Sequence, residues 1–134
     1  GYVEYAYAKQ NGMSHVALKN AAGNVVQPSA QTFAAAGDID WSKQEGFYKV
    51  ITNSETAQAW PIAAATFILV HKQPKDAKQV AGVLNCFDWA YTQGDDDAMS
   101  LDYVPFSDTA VALFKAKWNE VVDSEGKPVY TSVQ

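Results

Sequence analysis

Arginine is absent from this chain, and all ten of its basic side chains are lysines. Arginine is the usual bidentate partner of phosphate and carboxylate groups. Any anion bound here would therefore be held by backbone N–H groups, hydroxyls or lysine. Cysteine is nearly absent too, and Cys86 alone excludes an internal disulfide framework and a cysteine-based zinc site. A net charge of −5 over 134 residues, with no clustered lysines, speaks against nucleic-acid or anionic-membrane binding. No apolar run approaches the roughly 20 residues that span a bilayer. The chain contains neither a G-x-S-x-G elbow, nor S-x-x-K, nor a glycine-rich phosphate loop. It opens at Gly1 without methionine or a leader, on Gly1-Tyr2-Val3-Glu4-Tyr5. That start resembles the middle of a structural element, so a fragment is expected.

The most informative stretch is residues 60–72, WPIAAATFILVHK. Between Ile62 and Val70 only Thr66 interrupts the apolar residues. Lacking alternation, the run predicts a strand buried on both faces inside an α/β sheet. The rest of the chain offers such a strand few neighbours, which again points to part of something larger.

Elsewhere the order is mixed α and β. Tyr2 and Val3 suit a short strand, and residues 4–10 a helix ended by Gly12. Residues 16–18 and 25–27 flank Asn20-Ala21-Ala22-Gly23-Asn24 as a hairpin. Ser29 predicts a cap for a helix over 30–36 closed by Gly37. Trp41 is expected against the body, and residues 47–51 as a second strand. Asp76 begins an amphipathic helix to about Thr92, with Val80, Val83, Leu84, Phe87, Ala90 and Tyr91 on one face. Asp95, Asp96 and Asp97 suit the first turn of a short helix to Leu101, and residues 103–106 are extended. Ser107 and Asp108 open a further helix with Val111, Phe114, Trp118 and Val121 on one face. Residues 123–130 form a turn and an extended tail.

Few side chains carry chemistry. Asp95, Asp96 and Asp97 lack the alternating ligands, glycine and distal glutamate of a calcium loop, and are read as helix-start acids on a solvated face. His15 and His71 are far apart and outside any H-x-x-x-H pattern, so both are read as structural. Cys86, beside an apolar helix face, is expected to be a buried, inert thiol. Tyr2, Tyr5, Tyr7, Trp60, Trp89 and Trp118 could stack a sugar or base, but core packing is the expectation.

Several blocks in one order change the picture: Gly1-Tyr2-Val3-Glu4-Tyr5-Ala6-Tyr7-Ala8, Ala59-Trp60-Pro61-Ile62, Thr66-Phe67-Ile68-Leu69-Val70-His71-Lys72, Phe87-Asp88-Trp89-Ala90-Tyr91, Leu101-Asp102-Tyr103 and Gly126-Lys127-Pro128-Val129-Tyr130. With them the chain resembles the C-terminal part of the periplasmic phosphate-binding proteins of bacterial ABC phosphate transporters, the PstS type. The resemblance runs over nearly all of the chain. It implies an α/β fold, the C-terminal portion of a two-lobed periplasmic-binding-protein (type II) fold with mixed sheets flanked by helices. Residues 1–57 would belong to the second lobe, 58–61 to an interlobe crossing or hinge, and 62–134 to the first lobe. The family's ligands (hydroxyls, helix-start N–H groups, an Asp and an Arg) map before Gly1. No ligand-binding, catalytic or metal residue is therefore carried over, and no cofactor is implied. The implied partners are inorganic phosphate, through the segment upstream of Gly1, and a transmembrane permease, with neither nucleic-acid binding nor membrane insertion. The implied location is the periplasm and the implied role is non-enzymatic. The alternatives are a structural or interaction module of the superfamily, or a fragment of a phosphate-handling enzyme.

Overall fold

A computed structural model describes residues 1–130. The elements in order are α1 (Tyr5–Gln10), β1 (Leu18–Lys19), β2 (Val25–Val26), α2 (Ala30–Gly37), α3 (Ala77–Gln93), α4 (Asp95–Ser100) and α5 (Asp108–Lys117), with short 3₁₀ turns at Trp41–Lys43, Glu45–Phe47 and Trp118–Glu120. The chain is thus mixed helix and sheet. Among the described residues the one sheet is the β1–β2 hairpin, antiparallel with Leu18 opposite Val26 and Lys19 opposite Val25.

Two compact units divide the chain: Gly1–Thr66 with Asp96–Phe106, and Phe67–Asp95 with residues from Ser107 onward. In the first unit, Ala6, Ala8, Val26, Ala36, Trp41, Ile51, Ala59 and Trp60 are buried. A row of edge-to-face rings runs through it, His15 to Tyr5 at 6.0 Å, Tyr5 to Phe33 at 5.1 Å and Phe33 to Trp60 at 6.5 Å. Pairs of this geometry contribute about 0.5–1.5 kcal/mol each beyond the area they bury. In the second unit Leu84, Val121 and Tyr130 form the core, covered by Val70, Val80, Trp118 and Val129.

Helix starts follow the capping chemistry that the sequence predicts. Ser29 and Thr32 form a reciprocal capping box at α2. The Asp76 carboxylate accepts from the Gln79 N–H at 2.9 Å to start α3. Ser107 accepts from the Ala110 N–H to start α5. Each side chain satisfies an N–H that has no partner within its helix. At the other end of α3, Gly94 donates to the Ala90 carbonyl.

Three expected strands do not form. Residues 62–70 pair with no ladder, and Ile62, Phe67, Ile68 and Leu69 are exposed, Leu69 to 94%. An interior strand needs a partner on each edge, and these residues find none. Val70 alone of the run packs on a core. Tyr2 and Val3 are exposed and unpaired. Residues 47–51 are diverted by a 3₁₀ turn in which Gly46 (φ 61°) and Phe47 (φ 56°) are both left-handed, so the backbone reverses where a strand would have to extend. Ile51 is still buried, and the Asn53 N–H bonds the Pro61 carbonyl at 2.8 Å.

The hairpin loop is held by Asn20, the buried polar residue of the first unit. Its Nδ2 donates to the Ala57 carbonyl at 2.9 Å and the Ala59 carbonyl at 3.1 Å, and its Oδ1 accepts from the Asn24 N–H at 3.0 Å. Asn24 Nδ2 also donates to the Ala57 carbonyl. Replacing Asn20 with leucine leaves the Ala59 carbonyl without its donor and the Asn24 N–H without its acceptor, while the Ala57 carbonyl keeps Asn24, and an unsatisfied buried group costs about 1–3 kcal/mol. Denaturant titration is expected to show a loss of about 2–3 kcal/mol for Asn20→Leu. Asn24→Ala, at an exposed contact, should lose about 1 kcal/mol or less.

Candidate functional site

Two polar clusters have the density of a site, one in each compact unit. The first is assembled where two helices end. The α1 helix closes with the Gly12 N–H on the Lys9 carbonyl and the Met13 N–H on the Ala8 carbonyl, with Gly12 at φ 60°. The α4 helix closes the same way, with the Asp102 N–H on Met99 and the Tyr103 N–H on Ala98. Both are Schellman closures, whose left-handed position is usually glycine. In α4 that position holds Asp102, at φ 66°. Its carboxylate takes the Lys9 ammonium of α1, and the next residue, Tyr103, donates its hydroxyl to Glu4 Oε1 at 2.8 Å. Glu4 and Lys9 lie at opposite ends of α1, so consecutive residues grip that helix at two points. The hydrogen bond from Lys9 to Asp102 holds the Lys9 ammonium above its ordinary range, and the Tyr103 hydroxyl is raised by its bond to Glu4.

The second cluster lies on α3 and α5. Lys115 pairs with the Asp88 carboxylate. The Tyr130 hydroxyl, buried and without a well-formed hydrogen bond, faces the same carboxylate. Asp88 is held below the usual carboxylate range, chiefly by the hydrogen bond from Lys115, while burial pushes the Tyr130 phenol up. Close by in sequence, Glu120 accepts from Lys117 at 2.6 Å and Lys72 at 2.8 Å, and these two bonds draw its carboxyl down to about 2.

The lysines of both clusters are engaged within them: Lys9 on Asp102, Lys115 on Asp88, and Lys72 and Lys117 both on Glu120, while Glu4 accepts from Tyr103. The starts of α2, α3 and α5, which could otherwise offer N–H groups to an oxyanion, are closed by Ser29, Asp76 and Ser107. Among the described residues, no three of His, Cys, Asp and Glu are placed to hold a metal ion.

The residues singled out from the sequence are dispersed. Asp95, Asp96 and Asp97 open α4 and are exposed, as a solvated helix start requires. His15 packs its ring on Tyr5 and His71 is exposed, the two in different units. Cys86 is exposed, not buried: the apolar face of α3 turns Leu84 inward, and Cys86, two positions on, falls outside that stripe. Of the aromatics, Trp60 is buried, Tyr5 and Trp118 are partly buried, and Tyr2, Tyr7 and Trp89 are exposed. Core packing thus holds for only half of that set, because Tyr2 lies ahead of α1 and Tyr7 and Trp89 lie on the exposed faces of α1 and α3. The α1 grip was not anticipated. Its sequence sign was an aspartate just after a short helix, the position that calls for glycine or a small polar residue.

Two measurements follow. Cys86 should react fully with a maleimide in native buffer, and a requirement for denaturant would contradict its exposure. The depressed Asp88 carboxyl contributes stability that is present above the ordinary carboxylate value of 3.8 and is lost as pH falls through its lower, folded value. Lys115→Met removes the first cause of that depression. Acid unfolding followed by circular dichroism should therefore move to higher pH in this variant, and an unmoved midpoint would show that the pair is not coupled to folding.

No family model matches the chain. Curated relatives do. It is 44% identical over 132 residues to the phosphate-binding protein PstS of Pasteurella multocida, covering 97% of this chain and 38% of that protein. The PstS of Xylella fastidiosa is 50% identical over 119 residues, 88% of this chain and 33% of that protein. The PstS of Haemophilus influenzae is 44% identical over 119 residues, with 36% of its length covered. The chain thus spans little more than a third of the length of the relatives it matches, and over that stretch it belongs to the PstS family of phosphate-binding proteins.

Proposed function

We propose that this chain is the C-terminal part of the phosphate-binding component of a bacterial ABC phosphate uptake system. It would be exported to the periplasm, be non-enzymatic, and close two lobes around inorganic phosphate before delivery to a transmembrane permease. The single observation that carries the reading is 44–50% identity to PstS proteins over most of the chain.

In this reading residues 1–57 belong to the second lobe, 58–61 cross between lobes, and residues from 62 complete the first lobe of a type II binding-protein fold. The grouping of Gly1–Thr66 in one compact unit supports a crossing near Pro61, and Asp96–Phe106 joins that unit as an excursion of the later chain. The largely exposed run at 62–70 would become a strand beside neighbours from the rest of the longer protein. Phosphate is bound by that remainder. The self-capped helix starts and the absence of arginine support this.

Calorimetric titration with inorganic phosphate tests the proposal. A full-length protein carrying this stretch should bind, and residues 1–134 alone should give no binding heat. Tight binding by the 134-residue chain would overturn the placement of the ligand residues. Failure of the full-length protein to bind would overturn the function.

A further inference from the structure

The chain leaves its second compact unit after Asp95, contributes Asp96–Phe106 to the first, and rejoins the second at Ser107. Within the first unit this excursion is fastened at three points. Asp102 pairs with Lys9, Tyr103 donates to Glu4, and the Phe106 ring meets buried Trp41 edge-on at 5.5 Å. The two polar pairs join residues 93 and 99 positions apart in the sequence. We infer that residues 96–106 are a strap, a reversible non-covalent link by which the later part of the chain is tied to α1, and that its docking restrains lobe closure in the longer protein.

Asp102 carries the case furthest. Its left-handed backbone is strained for any residue with a Cβ and natural for glycine. As a helix stop alone, glycine would serve better there. Aspartate at this position places a carboxylate on Lys9, so the residue acts as an anchor as well as a stop. Lys9, Glu4 and Tyr103 face solvent, though the Asp102 side chain is only 14% exposed, and pairs with solvent-facing members are individually weak. Weak fastening suits a segment that docks and releases, because movable elements come from the low-stability end of a structure. Phe106 against Trp41 supplies the apolar footing that two exposed polar pairs lack.

The inference rests on the two-lobed reading above, and its test separates the two. In a full-length protein carrying this stretch, Asp102→Gly improves the α4 stop and deletes the anchor, while Tyr103→Phe deletes the second anchor with little change of shape. Hydrogen exchange by mass spectrometry would follow residues 96–106 and α1, alongside phosphate titration. The strap predicts several-fold faster exchange in both segments and, because a restraint on closure is removed, several-fold tighter phosphate binding in the double variant. Unchanged or slower exchange on Asp102→Gly would overturn the docking. Faster exchange with unchanged or weaker phosphate affinity would overturn the restraint on closure. If the unsubstituted protein binds no phosphate, the functional reading fails, and with it the restraint on closure, while exchange still decides the docking.

Discussion

A backbone N–H or C=O removed from water must find a partner, and the described part of this chain meets that demand chiefly with local devices. Its only ladder is two residues on each side. The rest depends on capping side chains, Schellman closures and turns. Asn20 shows the pattern most fully, since one side chain pairs two carbonyls and an N–H from segments 37 to 39 residues apart and from its own loop. At the other end, Asp123 does the same for a turn, its carboxylate accepting from the Glu125 and Lys127 N–H groups. The Val121–Val129 bond then brings the tail back against the α3–α5 core.

This way of satisfying the backbone uses up the polar side chains. Ser29, Asp76 and Ser107 close helix starts, Asn20 and Asp123 hold loops, and Asp40, Asp88, Asp102, Glu120 and Glu125 pair with lysines. Little is left to meet a ligand. The functional reading of the chain comes from its likeness to PstS proteins.

The second consequence concerns apolar surface. Residues 62–70 carry the composition of an interior strand, and yet most are exposed. Composition states what an element requires; it cannot provide the neighbouring strands. The same holds for Trp89 on α3 and Tyr7 on α1, whose helices each bury one face and leave the other without a partner.

Much of the local structure was legible in the sequence. Helix positions followed from apolar spacing and from Ser29, Asp76, Ser107, Gly12 and Gly94, because capping and periodicity act over three or four residues and need nothing distant. The hairpin around Asn20-Ala21-Ala22-Gly23-Asn24 was legible for the same reason, as was the solvated acidic start of α4. The block order likewise carried the family. What only the tertiary structure decided were the pairings between remote residues: Lys9 with Asp102, Glu4 with Tyr103, Asp88 with Lys115, and Asn20 with the carbonyls at 57 and 59. Tertiary structure also decided the exposure of Cys86 and the failure of residues 62–70 to enter a sheet. The physical reason is common to all of these. Local conformation depends on short-range sterics and hydrogen bonds encoded in adjacent residues, whereas burial and long-range pairing depend on which other segments arrive at the same place.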